Sequence, residues 1–258
     1  MARRLGQHFL RPTSVARLLR VIAPQPNDVF LEIGAGRGAL TLPLAAHARR
    51  VVAVELDQEL ANGLAACAPS NVEVVLGDAL HVDLGALVPG GSRLVGNLPY
   101  AISSPLLRRF LDMRGHVPDL HVMLQLEVAQ RIAASPGTKD YGLLSVLYGL
   151  WADVDVPIRF GPACFSPPPK VQSAVLRARF RTQPRHPVDD MPALESLLRR
   201  AFSQRRKTLE NNLRLSYHNL KQHLRLLDIL GSRRAETLSV VEFAKLSKAL
   251  SGETVDDG

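Results

Sequence analysis

The stretch from Asp28 to Ala48, DVFLEIGAGRGALTLPLAAHA, constrains the fold more than any other part of the sequence. It begins with a short apolar run, which predicts a buried strand. Gly34 and Gly36 then allow a tight turn whose backbone can approach a ligand closely, and the residues beyond them predict a helix. A strand, a glycine turn and a helix in this order are typical of α/β folds that bind a ligand at the turn.

The same alternation of strands and helices continues to Phe180. Further strands are predicted in RRVVAVELD, NVEVVLGDAL, SRLVGNLPY and LHVMLQLEVAQRIA, the last of which runs into a helix. Helices are also predicted from Ser14 to Ile22 and in DQELANGLAACA and GLLSVLYGLWA, while DVDVPIRF and QSAVLRARF predict a closing pair of strands. Strands that alternate with helices predict a parallel sheet covered by helices on both faces.

A change in composition marks a second domain. The segment Arg181–Pro192 is rich in proline and charge and predicts a linker. Three segments beyond it carry helical patterns: ALESLLRRAFSQRRKTLENNLRLS, HNLKQHLRLLDIL and SVVEFAKLSKAL. The sequence therefore predicts an α/β domain over residues 1–183 and a small all-helical domain over residues 184–258.

The charge is distributed unevenly along the chain, which carries a formal net charge of +8 over 258 residues. Residues 1–20 contain five arginines and no acid. Residues 21–183 contain 14 basic and 14 acidic groups, and residues 184–258 contain 13 basic against 10 acidic groups. A neutral centre between basic ends favours a catalytic core flanked by surfaces that bind a polyanion such as nucleic acid.

The basic excess of the second domain is concentrated in one segment. Five basic side chains fall within nine residues that contain no acid: Arg199, Arg200, Arg205, Arg206 and Lys207. Apolar residues recur around them at helical spacing, which predicts a continuous basic stripe on one helix. Such a stripe binds phosphates, and these contacts position RNA without reading its sequence.

Composition also bounds the compartment. No apolar run approaches the ~20 residues of a membrane span. The two cysteines, Cys67 and Cys164, lie far apart in the sequence, which predicts a reducing compartment and no disulfide framework. We therefore expect a cytoplasmic protein and, because no sustained heptad pattern is present, a monomer.

Three successive strands are predicted to end in residues suited to a nucleoside-containing ligand. The two glycines follow the first strand, Glu55 ends the second strand 19 residues after Gly36, and Asp78 ends the third. Glu55 can accept hydrogen bonds from both hydroxyls of a ribose, and Asp78 can accept one from an adenine amino group. The glycine pattern also fits a dinucleotide fingerprint through Ala39, so this motif alone does not separate NAD from S-adenosylmethionine.

The fourth strand ends in NLPY, which resembles the [D/N]-[P/L]-P-[Y/F] motif of enzymes that methylate exocyclic amines of nucleobases. The Asn97 side-chain oxygen and the Leu98 carbonyl can accept hydrogen bonds from the N–H groups of such an amine. These bonds favour a pyramidal nitrogen whose lone pair faces the methyl donor. Pro99 fixes the backbone so that both acceptors point inward, and Tyr100 offers a face for stacking the base. The motif therefore predicts a catalytic site for a base amine.

Seven segments occur in the order found in one family. They are GQHFL (Gly6–Leu10), EIGAGRGALT, VELD, GDAL, GNLPY, FSPPPKVQSAV (Phe165–Val175) and FSQRRKTLENNL (Phe202–Leu213). In these segments the chain resembles the ribosomal RNA adenine dimethylases, and among them the bacterial branch that acts on the small subunit. The resemblance implies a Rossmann-like class I methyltransferase sheet with helices on both faces, plus a small C-terminal all-helical domain.

The resemblance also implies an activity. The chain would use S-adenosylmethionine as methyl donor, without a metal, to N6,N6-dimethylate two adjacent adenosines near the 3′ end of 16S rRNA. Its partner would be the small ribosomal subunit or an assembly precursor of it.

Individual residues acquire roles from the same resemblance. Cofactor contacts are implied for His8, Leu10, Gly34, Glu55, Asp78 and Asn97. Phe165 would pack on the target base opposite Tyr100, in a loop stiffened by three prolines, and Lys170 of that loop could meet a phosphate. The role of His8 depends on the resemblance alone, because the residue types around it would otherwise indicate a surface histidine.

Three alternatives remain. A nicotinamide-dependent oxidoreductase would use the same glycine turn, but it leaves NLPY, FSPPPK and the basic segment unexplained. A non-enzymatic RNA-binding assembly or transcription factor predicts loss of the cofactor residues, which are intact here. A resistance-type methylase of large-subunit rRNA is the rival within the family, and FSPPPKVQSAV and FSQRRKTLENNL favour the small-subunit type over it.

Overall fold

A computed structural model describes residues 8–251. In that range the chain folds into two compact units. The first unit contains the described chain up to Ala129 together with Asp153–Thr182. The second contains Gln130–Ala152 together with the described chain from Gln183 onward. The first two residues of the GQHFL motif lie outside the described residues.

The strands form in the apolar runs of the sequence. Their bounds are β1 Phe9–Leu10, β2 Val29–Ile33, β3 Arg50–Glu55, β4 Val72–Leu76, β5 Arg93–Asn97, β6 Asp119–Gln125, β7 Ala152–Phe160, β8 Phe165–Ser166 and β9 Ser173–Phe180. The central strands are buried along most of their length, as expected for strands covered on both faces.

The helices begin and end as follows: α1 Pro12–Ile22, α2 Thr41–Ala45, α3 Gln58–Ala65, α4 Leu84–Leu87, α5 Ser103–Asp112, α6 Leu126–Ile132, α7 Leu143–Trp151, α8 Met191–Ala201, α9 Leu209–Leu213, α10 Leu220–Leu226 and α11 Val240–Ala249. Several begin at a side chain that accepts hydrogen bonds from the first turn. The Asp57 carboxylate caps α3 in this way, and Ser239 and Glu242 form a capping box on α11.

Seven strands form one mixed sheet in the order β4-β3-β2-β5-β6-β9-β7. The five strands from β4 to β6 in this order pair in parallel, so they all end at the same edge of the sheet. Strand β9 pairs antiparallel with β6, and Ser173 lies opposite Gln125. The first residue of β9 therefore lies at the edge where the parallel strands end. The predicted α/β fold is confirmed, and β9 makes the sheet mixed.

The first unit has an apolar core between the sheet and helix α1. Val15, Leu18 and Ile22 recur at helical spacing on α1 and are buried in one cluster with Phe30 and Val95 of the sheet. The short strands β1 and β8 pair antiparallel beside this core, with Leu10 opposite Phe165. This pairing brings the beginning of the described chain next to a segment more than 150 residues later.

The second unit is helical, and α7 belongs to it. Helix α7 is apolar on most of its surface and packs against α8 and α11. The expected division at residues 183 and 184 places this helix in the α/β domain, whereas the contacts place Gln130–Ala152 in the helical unit. None of the helices in residues 8–251 has the length and apolar character needed to cross a bilayer.

The expectation of one continuous helix through the basic segment is wrong. Helix α8 ends at Ala201 and α9 begins only at Leu209. The intervening residues from Ser203 to Thr208 contain no apolar side chain, so a helix there would have no face to bury. The Thr208 hydroxyl instead caps α9 by accepting a hydrogen bond from the Asn211 backbone.

Candidate active site

One cavity of the first unit lies where the parallel strands end. It brings together ten of the residues singled out in the sequence: His8, Leu10, Gly34, Gly36, Glu55, Asp78, Asn97, Leu98, Pro99 and Tyr100. These residues come from five separate stretches of chain: the parallel strands bring four of them together, and the antiparallel pair of β1 with β8 brings His8 and Leu10. The carboxyl ends of parallel strands are the usual place for a ligand in such folds.

The glycine turn needs glycine for its conformation. Gly34 and Gly36 have φ angles of 77° and 57°, in the left-handed region that other residues rarely adopt. A Cβ atom on Gly36 would lie 3.1 Å from the Phe9 ring, and one on Gly34 would lie 3.4 Å from the Asn97 carbonyl oxygen. The turn is therefore in close contact with both β1 and the NLPY segment.

Glu55 fixes the glycine turn. Its buried carboxylate accepts a hydrogen bond of 2.7 Å from the Gly36 backbone and one of 2.9 Å from the Asp57 backbone. A carboxylate has about four acceptor positions, so these two bonds leave capacity for ribose hydroxyls.

Asp78 is held in a similar way at the end of β4. One oxygen accepts a hydrogen bond of 2.9 Å from the Leu80 backbone, and the other lies 2.9 Å from His81 Nδ1. These hydrogen bonds, led by that from Leu80 and helped by the charges of His81 and Arg109, hold the pKa of Asp78 below its ordinary value. The carboxylate is therefore ionised at neutral pH and acts purely as an acceptor.

The NLPY segment presents hydrogen-bond acceptors. Asn97 Nδ2 donates a hydrogen bond of 2.8 Å to the His8 carbonyl, which leaves Oδ1 as the accepting end of the side chain. The Leu98 backbone donates to the Met123 carbonyl at 3.1 Å, and this anchors the segment to β6. No donor in residues 8–251 engages Asn97 Oδ1 or the Leu98 carbonyl.

The Tyr100 ring is held at two places. Its hydroxyl lies 2.7 Å from Ser173 Oγ, and its face stacks with the His8 ring at 5.9 Å between centroids. His8 Nδ1 lies 2.8 Å from the Pro167 carbonyl, which can only accept, so this nitrogen carries the proton. In the sequence, only the family resemblance predicts a role for His8. In the structure, it contacts both Tyr100 of the NLPY segment and Pro167 of the loop that contains the three prolines.

Glu32 is a cavity residue that the sequence reasoning missed. It is the next-to-last residue of β2, is 1% exposed, and its Oε2 has no partner in the described structure. Burial raises the pKa of Glu32 to about 8, and the charge of Glu55 adds to the rise. The nearby Thr41 hydroxyl acts in the opposite direction without completing a hydrogen bond of normal geometry. The sequence signal that could identify Glu32 is the presence of an acidic residue inside the apolar run VFLEI.

Phe165 does not line the cavity. Its side chain is fully buried in the core of the first unit, and its backbone pairs with Leu10. The structure therefore places this ring in the core and outside the residues that line the cavity, which differs from the position implied by the resemblance, and its packing on the target base stays a prediction. An apolar ring flanked by a strand pair buries more surface in the core than at a cavity wall. Lys170 lies exposed in the loop between β8 and β9.

The five basic residues that the sequence singles out in the second unit fall into two groups. Three are engaged within that unit. Arg199 lies 4.0 Å from Glu195, Arg200 donates to the Ser216 hydroxyl at 2.5 Å, and Arg205 contacts the Lys139 carbonyl and Glu236. Arg206 and Lys207 are exposed in the turn between α8 and α9, and their side chains have no partner in residues 8–251. The basic residues thus form a turn and a helix end, and the predicted continuous stripe is wrong.

The described side chains do not gather a metal site: no group of three or more His, Cys, Asp or Glu residues in them is placed to hold an ion.

A sheet of this order, with a glycine turn after β2 and carboxylates after β3 and β4 around one cavity, is the architecture of class I methyltransferases. The NLPY segment beside the glycine turn indicates, within that class, an enzyme that methylates an amino nitrogen.

The model of the family "Ribosomal RNA adenine dimethylase" matches residues 1–251, and the chain belongs to that family. It is 46% identical to the Ribosomal RNA small subunit methyltransferase A of Geobacter metallireducens, over 95% of this chain and 94% of that protein. Among solved structures it is similar to a dimethyladenosine transferase from Plasmodium falciparum, with a TM-score of 0.77 and 25% identity over 96% of this chain and 99% of the other. The 23S rRNA methyltransferase ErmE is similar with a TM-score of 0.69 and 26% identity, over 94% of this chain and 99% of ErmE.

Proposed function

We propose that this protein transfers methyl groups from S-adenosylmethionine to N6 of two adjacent adenosines near the 3′ end of 16S rRNA, giving N6,N6-dimethyladenosine. The family match and the small-subunit methyltransferase of Geobacter metallireducens support this substrate. The observation that carries the proposal is the contact between the glycine turn and NLPY, where a Cβ on Gly34 would lie 3.4 Å from the Asn97 carbonyl. A methyl donor in the turn and an amine at Asn97 would meet there.

The residues of the cavity fit S-adenosylmethionine, which supplies an electrophilic methyl group when bound. Glu55 keeps acceptor capacity for the ribose hydroxyls, and the ionised Asp78 can accept from the adenine amino group. Gly34 and Gly36 let the backbone approach the cofactor, and His8 and Leu10 form another part of the cavity wall. Glu55 therefore has two tasks, since it also holds the Gly36 backbone.

The chain's own contribution to the reaction is to orient the amine. In the first transfer, Asn97 Oδ1 and the Leu98 carbonyl accept hydrogen bonds from the two N–H groups of N6, so the nitrogen lone pair turns away from the ring and toward the methyl group. Pro99 fixes the backbone that carries both acceptors. Tyr100 stacks the base on the face that His8 leaves free, which is worth ~1–3 kcal/mol. Alkylation makes the nitrogen proton acidic, so no strong general base is required.

RNA affinity is proposed to come from the basic residues. Arg206 and Lys207 are the best placed for phosphates because neither side chain has a partner in the described chain, and Arg199 is mostly exposed. Arg200 and Arg205 would contribute through the local fold as well as by charge. Lys170 would contact a phosphate near the extruded adenosine.

The partner is proposed to be the small ribosomal subunit or an assembly precursor of it, and the protein is proposed to act as a monomer without a metal. The compartment is proposed to be the cytoplasm. Both cysteines are free thiols in the structure, which fits a reducing environment.

The test incubates the pure protein with radiolabelled S-adenosylmethionine and unmethylated small subunits, with large subunits in parallel, and maps the products. We expect N6,N6-dimethyladenosine at adjacent sites in small-subunit RNA. Label only in large-subunit RNA would move the protein to the branch of ErmE, the second candidate, whose fold is similar. RNA binding with no label in either subunit would favour an assembly factor.

A further inference from the structure

We infer that Ser173 is a positioning residue that fixes the Tyr100 ring for stacking the target base. The inference deepens the proposed function, because it requires that Tyr100 contacts the base. Ser173 belongs to the segment FSPPPKVQSAV, in which the sequence reasoning assigned roles only to Phe165 and Lys170.

The topology explains why a residue so distant in sequence reaches the site. Strand β9 runs antiparallel to β6, so its first residue, Ser173, lies opposite Gln125 at the last position of β6. On the other side of β6, Asn97 lies opposite Met123 at the end of β5. Both strand ends therefore lie at the edge of the sheet that carries the cavity. An antiparallel strand contributes its beginning to an edge where parallel strands contribute their ends.

The contact itself is well defined. Ser173 is fully buried, and its Oγ lies 2.7 Å from the Tyr100 hydroxyl. Within residues 8–251 neither hydroxyl has another partner. A buried serine hydroxyl without a partner is costly, so Ser173 depends on the Tyr100 hydroxyl for its hydrogen bond.

The hydrogen bond completes the restraint on the ring. The backbone end of Tyr100 is fixed by Pro99 and by the 3-10 turn Tyr100–Ile102, and one face of the ring stacks with His8. Ser173 holds the remaining free end, the hydroxyl. With all three restraints, the ring is already in place when a base enters, which lowers the entropic cost of bringing N6 to Asn97.

The experiment compares Ser173→Ala, Tyr100→Phe and the double variant. Each single change removes the same hydrogen bond while keeping the ring. We expect kcat for small-subunit RNA to fall about threefold to tenfold in either single variant, the range of one hydrogen bond. We expect kcat of the double variant to be no lower than kcat of the less active single variant. The KM for the subunit and the Kd for S-adenosylmethionine should stay within about twofold, and Ser173→Thr, which keeps a hydroxyl, should restore most of kcat.

The matched control is Ser92→Ala. Ser92 is also a buried serine, 1% exposed, but it lies just before β5, at the opposite edge of the sheet, and its hydroxyl donates to the Pro89 carbonyl at 2.6 Å. The Ser92→Ala variant should have a lower melting temperature than the wild type and an unchanged kcat. Multiplicative losses in the double variant, or an equal loss of kcat in Ser92→Ala, would overturn the positioning role.

A second readout does not depend on activity. The chain has four tyrosines, and NMR of protein with ring-labelled tyrosine identifies Tyr100 as the signal lost in Tyr100→Phe. Ser173→Ala should shift or broaden that signal, and Ser92→Ala should leave it in place. An unchanged signal overturns the inference whatever the activity. A shifted signal in a protein that methylates no rRNA would leave the restraint intact and would refute the proposed function instead.

Discussion

Replacing Glu32 by Gln should stabilise the first unit at alkaline pH. The carboxyl is 1% exposed and its Oε2 has no partner in the described chain, so its ionised form is unfavourable in the folded state. The pKa of Glu32 rises from 4.5 to about 8 on folding. That difference corresponds to roughly 5 kcal/mol of unfolding free energy, at ~1.4 kcal/mol per pKa unit.

The direction of the pH dependence follows from the number of protons bound in the folded and unfolded states. Between pH 4.5 and about 8 the folded state keeps the Glu32 proton and the unfolded state loses it. The free energy of unfolding therefore falls as the pH rises through this range, and it levels off above pH 8. Below pH 4.5 both states are protonated, and Glu32 contributes no pH dependence. Glutamine has nearly the same shape but no titratable group, so the variant should lack this part of the pH profile.

The assay is urea unfolding from pH 5 to pH 9, followed by far-ultraviolet circular dichroism. Fluorescence is unsuitable because the single tryptophan, Trp151, lies in the second unit. The difference between wild-type and Glu32→Gln unfolding free energies should grow by several kcal/mol from pH 5 to pH 8.5. The exposed Glu59→Gln is the control and should give a constant difference. Parallel profiles for wild type and Glu32→Gln would refute a neutral Glu32.

Four further outcomes are expected. Asn97→Ala should lower kcat about a hundredfold and leave the melting temperature nearly unchanged, because it removes one preorganised acceptor at the reacting nitrogen. Single-turnover assays with labelled cofactor measure this loss, and an unchanged kcat would exclude the acceptor role. Arg206→Ala should reduce the slope of log affinity against log salt by about one in RNA-binding titrations. Arg205→Ala should instead lower the melting temperature through loss of its contact with Glu236, and an equal salt effect would contradict the distinction. Phe165→Ala should destabilise the protein by ~3–5 kcal/mol in urea unfolding, as expected for a core ring, and a loss of activity without destabilisation would return Phe165 to the cavity.

The sheet could be predicted because its evidence is local. Each parallel strand is a short apolar run, and the glycines of EIGAGRGAL require φ angles that few other residues adopt. Strand ends at Glu55, Asp78 and Asn97 follow from the same runs, and parallel pairing brings them to one cavity. What each of them binds stays a prediction.

The errors have a common physical origin in contacts between distant residues. Phe165 looked like a loop aromatic because nothing near it in sequence reveals its pairing with Leu10. The basic segment predicts one helix because its apolar spacing continues up to Phe202, and the sequence pattern alone does not distinguish the polar gap before Leu209 from the polar face of a helix. Glu32 was absorbed into an apolar run, since a sequence pattern does not show which neighbours a buried acid lacks.

The pairing of β1 with β8 has a consequence for the timing of folding during synthesis. The wall formed by His8 and Leu10 is held by Phe165, Pro167 and the strand pair, so it cannot be completed until those residues have left the ribosome. At ~5–20 residues per second, the glycine turn emerges several seconds before the segment that closes the cavity over it. A nascent chain can therefore fold its first parallel strands while its cofactor cavity still lacks one side. The enzyme becomes competent for catalysis only late in its own translation.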